Sequence, residues 1–329
     1  MTDATHGDHA VGDGRIVVDR LTKKFGTLTA VDDLSFSVDP GRITGFLGPN
    51  GAGKTTTLRM LLGLVRQTSG TATIGGRRYA EIPRPQRVVG SALEATGFHP
   101  GRSGRNHLMV LADTAGVDGR RVDQMLELVG IPAAANRRAG GYSMGMRQRL
   151  GLAAALLGDP QVLLLDEPAN GLDPEGIRWL RGFLRHLSSE GKTILVSSHM
   201  LQEVEQTVDD VVIIANGKLV KQGPMADLHG EQTALVRSAD PGRLASALAM
   251  AGLKSSPAAG DAIYVVTGDL RTVGEVALEA RIALYELRNQ GADLEALFFQ
   301  LTEAPENANR NLAGNADVRP GSMTEGRVS

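Results

Sequence analysis

The chain has 329 residues, of which 42% are apolar and 22% charged, and its formal net charge at pH 7 is −2. This composition is that of a soluble globular protein, with length for one large domain and a small one. The low charge gives no reason to expect nucleic-acid binding, and the lack of cysteine excludes disulfides and thiolate metal sites. No apolar run approaches the roughly 18 residues that span a bilayer. Residues 1–14 are polar and lack a signal-peptide core, so we expect a disordered N-terminus on a cytoplasmic protein.

The first predicted elements are β-strands that lead into a glycine-rich loop. Residues 16–48 carry alternating apolar positions, which indicates strands, and the last strand, Ile43–Leu47, runs directly into the loop. The loop and the start of the helix that follows it consist of Gly48, Pro49, Asn50, Gly51, Ala52, Gly53, Lys54, Thr55 and Thr56. This run matches G-x-x-x-x-G-K-S/T. The strand–loop–helix setting favours a nucleotide phosphate site over a plain glycine-rich turn.

The glycines, the lysine and the threonine of this loop each suit the binding of a nucleotide phosphate. Glycines let successive backbone N–H groups converge on an anion, and the following helix adds the partial positive charge of its N-terminus. We expect Lys54 to reach the terminal phosphates of the nucleotide and the hydroxyl of Thr55 to ligate Mg²⁺.

Strands and helices alternate through the middle of the chain. The predicted strands lie at 71–74, around 88–89, and at 162–165, 193–196, 211–215 and 218–222. The predicted helices fill much of 106–130 and 144–157, and another connects the strands at 162–165 and 193–196. Continuous apolar strands of this kind are buried on both faces of a parallel sheet. The pattern therefore predicts a doubly wound α/β core closed by a hairpin at Asn216-Gly217.

The pattern changes after residue 230. Strands are predicted at 234–237, 263–266 and 284–287, and helices at 241–251, 272–281 and 293–302. These elements predict a small α+β domain at residues 231–303, a split β-α-β sandwich that packs on the core or on a second copy. Residues 304–329 are polar and rich in Asn, Gly and Glu, and we expect them to be disordered.

Two carboxylates follow the buried strand at 162–165. Asp166 and Glu167 lie at its carboxyl end, where ligands bind in open α/β sheets. We expect Asp166 to hold Mg²⁺ through water and Glu167 to activate a water molecule against the γ-phosphate. A strand that simply ends in solvated acids is the alternative, and the phosphate loop upstream favours the catalytic interpretation.

The order of the remaining motifs resembles that of the ATP-binding cassette (ABC) ATPases. Ser143 and Gly145 open the helix before the carboxylates, at the place of the family signature Leu-Ser-Gly-Gly-Gln, although Ser143 also fits a simple N-cap. The loop around Asp173 resembles the family's D-loop, and His199 resembles its switch histidine. Phe25 occupies the place of the aromatic residue that stacks on adenine. A capping histidine and a core phenylalanine are the alternatives.

This resemblance covers roughly residues 15–230. It implies a P-loop NTPase (RecA-like) core with an antiparallel β subdomain and a helical signature subdomain. It also implies an ATPase subunit in which two copies sandwich two ATP–Mg²⁺, with Ser143 and Gly145 of one copy facing the γ-phosphate bound by the other. In this arrangement Asp173 lies by the nucleotide and His199 contacts the γ-phosphate. The implied partner is a separate membrane permease, which would keep the ATPase at the inner face of the cell membrane.

Two features depart from the usual pattern of the family. Glu94 stands where a glutamine that binds Mg²⁺ is usual, and Met144 and Met146 replace Gly and Gln in the signature. A carboxylate still offers oxygen to Mg²⁺. Such variants resemble the antibiotic- and bacteriocin-type exporter branch, which implies export of a drug, antibiotic, peptide or lipid-like substrate and a link to antibiotic resistance.

Two alternatives compete with a transport function. One is a non-transport ABC ATPase of DNA repair, chromosome structure or translation; the chain has no long coiled-coil insertion, no zinc cysteines and a single phosphate loop, which disfavours this class. The other is an ATP-sensing or drug-sequestering resistance module without turnover. The complete set of Lys54, Asp166, Glu167 and His199 argues against such a module.

Overall fold

The computed structural model describes residues 12–93, 97–228 and 233–290, together with Thr302. The strands are β1 (Ile16–Phe25), β2 (Leu28–Val38), β3 (Ile43–Leu47), β4 (Ser69–Ile74), β5 (Val89–Ala92), β6 (Val162–Leu165), β7 (Thr193–Ser198), β8 (Asp210–Ala215), β9 (Lys218–Pro224), β10 (Thr233–Ser238), β11 (Ser255–Pro257), β12 (Ala262–Val266) and β13 (Leu284–Gln290). The α-helices are α1 (Lys54–Leu61), α2 (Gly104–Ala115), α3 (Arg120–Leu128), α4 (Met144–Leu156), α5 (Pro174–Ser189), α6 (Leu201–Val204), α7 (Pro241–Met250) and α8 (Leu270–Glu279). Within this part of the chain, no helix is both long enough and apolar enough to cross a bilayer.

The central six-stranded sheet positions the candidate site. Its order is β5-β6-β7-β3-β8-β9, and all neighbouring strands are parallel except β8 and β9, which form the predicted hairpin. Every residue of β3, β6 and β7 is buried. Because β3, β6 and β7 are parallel neighbours, their carboxyl ends meet at one edge of the sheet. The loops that follow these strands therefore converge.

The two faces of this sheet pack in different ways. Leu163 and Leu165 of β6 join a core with helices α2 to α5, whereas Val162 and Leu164 join a core with β1, β2 and β4. Those three strands form an antiparallel sheet of order β2-β1-β4. Side chains alternate between the faces of a strand, so a continuous apolar run is needed where both faces are covered.

Helices α2, α3 and α4 pack together, and a cation–aromatic contact connects α4 to α5. The guanidinium of Arg149 on α4 lies 3.7 Å from the ring centroid of Trp179 on α5. Its Nη1 donates to Val129 O at 2.7 Å, just after the end of α3. Trp179 also stacks on Phe183, with 5.0 Å between ring centroids. Arg149 therefore connects three helices, a role that suits a planar cation with several donors.

Strands β10 to β13 form a third sheet, of order β11-β12-β10-β13, with antiparallel neighbours throughout. Its β-α-β-β-α-β element order is that of a split βαβ fold. Helices α7 and α8 cover one face, where Leu248 and Val273 pack with Val236 and Val265.

The structure confirms the predicted doubly wound core and most of its elements. The sequence pattern missed β11, which has three residues and no apolar alternation. The predicted helix at 293–302 lies outside the described residues except for Thr302, which is helical and buried. The segments predicted to be disordered, 1–14 and 304–329, also lie outside them apart from residues 12–14.

Candidate functional site

The glycine-rich loop connects β3 to α1 at the carboxyl edge of the central sheet. A Cβ atom added to Gly48 would lie 2.4 Å from Ile214 O, and one added to Gly53 would lie 2.6 Å from Ala30 O. Gly53 also has a φ of +103°, which favours glycine. No described side chain caps the N-terminus of α1. The loop is thus closely packed behind and leaves the first turn of α1 available to an anion.

Lys54 is buried at the start of α1, with 5% of its surface exposed. Its Nζ donates to Gly48 O at 2.7 Å and to Pro49 O at 3.3 Å, and it lies 3.5 Å from Glu167 Oε1. Burial lowers the pKa of this ammonium group, while the Glu167 and Asp166 carboxylates oppose that shift. The side chain curls back over its own loop, at the position where phosphate oxygens would replace the carbonyl partners.

Asp166 accepts two hydrogen bonds from hydroxyl groups. Thr55 Oγ1 donates to its Oδ2 at 2.6 Å, and Ser197 Oγ donates to its Oδ1. A hydroxyl beside one carboxylate fits Mg²⁺, which takes few protein ligands and completes its octahedron with water and phosphate oxygens. Among the described residues, no group of three or more His, Asp or Glu side chains could hold a metal ion. Glu94, the third predicted Mg²⁺ ligand, lies outside the described residues.

Glu167 has a backbone conformation that is unusual for its residue type. Its φ is +48°, in the left-handed region, and its N–H donates to Ser197 Oγ at 2.9 Å. The carboxylate Oε2 accepts a hydrogen bond from Asn170 Nδ2 at 3.0 Å and lies 3.1 Å from His199 Nδ1. Non-glycine residues in this region are strained, and such strain is found at sites where a side chain must point in one direction.

The predicted catalytic group is therefore assembled from separate segments. Lys54 follows β3, Asp166 and Glu167 follow β6, and His199 follows β7. Sequence reasoning identified these residues and missed Ser197, whose hydroxyl bridges Asp166 and the Glu167 backbone. The available signal was the Ser197-Ser198 pair, which follows the apolar residues 194–196 of β7 and directly precedes the histidine.

Phe25 lies at the end of β1, and 49% of its surface is exposed. The alternative of a core phenylalanine is therefore wrong. Lys23 Nζ lies 4.6 Å from the centroid of the Phe25 ring and donates to Arg66 O at 2.7 Å. About half of the residue is open to solvent, so the side chain is available to a flat partner such as a nucleobase.

Ser143 and Gly145 form a second group at the N-terminus of α4. The Oγ of Ser143 accepts from Met146 N at 3.3 Å, so this serine does cap the helix. A Cβ at Gly145 would lie 3.7 Å from Leu172 Cδ2, and one at Gly171 would lie 2.9 Å from Met144 Cγ. The signature segment therefore packs against the loop at 170–173 of its own chain.

Asp173 ends that loop and caps α5, because its Oδ1 accepts from Gly176 N at 2.7 Å. Asn170, at the start of the loop, is bound to the signature helix through its backbone oxygen, which accepts from Gln148 Nε2 at 3.4 Å. These contacts join the helix that begins at Ser143 to the loop that follows Glu167.

Comparisons with known proteins agree with this geometry. The family model described as "ABC transporter" matches residues 31–170, and a model described as "Domain of unknown function (DUF8746)" matches residues 232–295. A solved structure titled "Structure of ATP binding subunit of ABC transporter" superposes with a TM-score of 0.59 at 28% identity, covering 65% of this chain and 91% of that one.

Several curated proteins are similar to this chain. It is 45% identical to the bacitracin transport ATP-binding protein BcrA of Bacillus licheniformis, over 63% of this chain and 69% of that protein. It is 37% identical to the uncharacterized ABC transporter ATP-binding protein YhcH of Bacillus subtilis (strain 168), over 86% and 94%. The lantibiotic transport ATP-binding protein SrtF of Streptococcus pyogenes is 37% identical, over 62% and 88%.

The matches extend over the phosphate loop, both carboxylates and the helices between them. They confirm the resemblance that the motif order indicated, including its antibiotic-type branch. They also confirm the P-loop NTPase fold and the binding of ATP. The chain belongs to the ABC transporter family, as one of its ATP-binding ATPases.

Proposed function

We propose that this chain hydrolyses ATP to drive a separate membrane permease that exports an antibiotic or a peptide. The observation that carries the proposal is the convergence of Lys54, Glu167 and His199 at one edge of the central sheet. The named relatives, which are bacitracin and lantibiotic transport ATP-binding proteins, support the class of substrate. The permease would hold the chain against the cytoplasmic face of the membrane.

Binding would begin at the phosphate loop. The backbone N–H groups of residues 48–56 and the N-terminus of α1 would hold the phosphates, and Lys54 would exchange its carbonyl partners for phosphate oxygens. Phe25 would stack on adenine. Thr55 and Asp166 would hold Mg²⁺, which neutralises charge on the phosphate oxygens when it is bound. Glu94 is a further proposed ligand of that ion.

Hydrolysis would depend on Glu167 as general base. Its carboxylate would accept the proton of the attacking water, while His199 would use its second ring nitrogen, Nε2, to contact the γ-phosphate. Nδ1 of the same ring already faces Glu167. With Nδ1 on Glu167 and Nε2 on the γ-phosphate, the His199 ring would fix the position of the attacking water relative to the phosphate.

The second group of residues would act on a second copy of the chain. Ser143 and Gly145 lie at the N-terminus of a 13-residue helix, which would offer its positive end to the γ-phosphate bound by the other copy. Asp173 would lie at the same dimer interface. Closure of this homodimer around two ATP molecules would push on the permease, and hydrolysis would release it.

The test compares the wild-type chain with Glu167→Gln and Lys54→Ala, each purified with and without its permease in lipid vesicles. We expect Glu167→Gln to lose roughly 10²–10⁴-fold in turnover, as for a missing general base, while it still binds ATP and forms a dimer. We expect a bacitracin- or lantibiotic-like peptide to stimulate hydrolysis by the complex. A wild-type chain that binds ATP without turnover would instead favour the ATP-sensing module.

A further inference from the structure

Asn170 holds Glu167 at two points. Its backbone N–H donates to Glu167 O at 3.1 Å and thereby closes the turn after β6. Its side-chain Nδ2 donates to Glu167 Oε2 at 3.0 Å. The turn is closed by main-chain atoms, so a change of the Asn170 side chain removes the contact to the carboxylate and leaves the turn in place.

The two oxygens of the Glu167 carboxylate have different partners. Oε2 faces Asn170 and His199, whereas Oε1 lies 3.5 Å from Lys54 Nζ. When Lys54 turns to phosphate, Oε1 loses that partner and is free to accept a proton. His199 also has a second task at the phosphate in the proposed mechanism. The Asn170 amide, together with His199 Nδ1, then keeps Oε2 in place and Oε1 directed toward the attacking water.

Asn170 also connects this carboxylate to the signature helix. Its backbone oxygen accepts from Gln148 Nε2 on α4, and the next residue, Gly171, lies against Met144 at the start of α4. A movement of α4 would therefore reach Asn170 directly. The loop lies between the segment that would engage the nucleotide of a second copy and the base of its own site.

We propose that Asn170 is a positioning residue for the general base Glu167, acting through the hydrogen bond from its side-chain amide to Oε2. The proposal rests on the proposed role of Glu167. The amide donates one hydrogen bond and takes no proton, so it acts only through the direction of the carboxylate. A misplaced reacting group is costly because the rate depends on the alignment of the attacking water.

The test measures steady-state hydrolysis by Asn170→Ala and the isosteric Asn170→Asp, which lacks the donor. We expect kcat to fall roughly 10-fold, as for a loosened reacting group, with KM for ATP within about twofold of the wild type. Asn106→Ala, an exposed asparagine on α2, is the matched control and should keep the wild-type kcat.

A double-mutant cycle separates positioning from a general structural effect. In the Glu167→Gln background, Asn170→Ala should change the residual turnover by less than about twofold, because the carboxylate it directs is gone. An equal loss in both backgrounds, or a rise in KM at constant kcat, would overturn the proposal. The turnover of Glu167→Gln tests the role of Glu167 by itself. If Glu167→Gln abolishes turnover but the Asn170 variants keep the wild-type kcat, the Asn170 proposal is overturned and the proposed function stands.

Discussion

Nζ of Lys54 lies 3.5 Å from Oε1 of Glu167, which pairs the cation expected to bind phosphate with the carboxylate expected to activate water. A buried ammonium group requires such a partner, since an unpaired charge in the interior is costly. Binding of ATP would exchange this partner for phosphate oxygens. The same step that secures the nucleotide would therefore release the base.

Replacement of Lys54 by Ala should remove both the ion pair with Glu167 and the expected contact with the phosphate oxygens of ATP. We expect turnover to fall by at least about 10²-fold, because a preorganised cation on the transferred phosphoryl group is lost. Phosphate release measures turnover, and equilibrium binding measures the affinity for ATP. Lys192→Ala is the matched control: this lysine is also largely buried and donates to Asp159 Oδ1 at 2.9 Å, but it precedes β7 at the opposite edge of the sheet. Wild-type turnover in Lys54→Ala would contradict the assignment.

Replacement of Ser143 by Arg should block the ATP-dependent dimer and leave ATP binding to the monomer unchanged. The bulky cation would occupy the place at which the helix N-terminus meets the second nucleotide. Size-exclusion chromatography in the Glu167→Gln background, with ATP, measures the dimer. Ser103→Arg removes an equivalent N-cap, in which Oγ accepts from Asn106 N at 3.2 Å, so it costs a similar cap energy of about 0.5–2 kcal/mol. Dimers that persist in Ser143→Arg, as they should in Ser103→Arg, would refute the placement of the signature.

Replacement of Phe25 by Ala should weaken ATP binding with little effect on folding, because the ring is 49% exposed. Stacking of a base on an aromatic side chain contributes about 1–3 kcal/mol, so the Kd for ATP should rise about 5- to 150-fold. Phe25→Trp keeps a stacking surface and should keep the affinity. Equal affinity of Phe25→Ala and the wild type would remove this residue from the site.

Replacement of Ser197 by Ala should affect both carboxylate residues. Asp166 loses a donor, and the Glu167 N–H loses its acceptor. We expect the Mg²⁺ concentration for half-maximal turnover to rise, and the free energy of unfolding to fall by about 1–3 kcal/mol from the unsatisfied N–H. Ser188→Ala removes a hydroxyl that donates to Gly41 O at 3.1 Å and should leave the Mg²⁺ dependence unchanged. An unchanged Mg²⁺ requirement in Ser197→Ala would show that Asp166 needs no such support.

The parts of the site that could be predicted from sequence are those with a local pattern. The phosphate loop has fixed spacing, and Asp166 and Glu167 end a run of apolar residues that only a buried strand explains. Asn170 and Ser197 have no such pattern, because their roles arise from the tertiary convergence of the segments after β6 and within β7. The exposure of Phe25 likewise depends on what packs around the end of β1. The proposed domain limits and the roles of individual residues stay predictions.

The contact between Arg149 and Trp179 has a practical consequence. Trp179 is the sole tryptophan of the sequence, so all indole emission from the chain originates at the junction of α4 and α5. A guanidinium 3.7 Å from the ring centroid alters that emission when its distance changes. The protein thus carries an intrinsic optical reporter on α5, in contact with α4, and any change in the packing of these two helices on addition of nucleotide can be measured in real time without labelling.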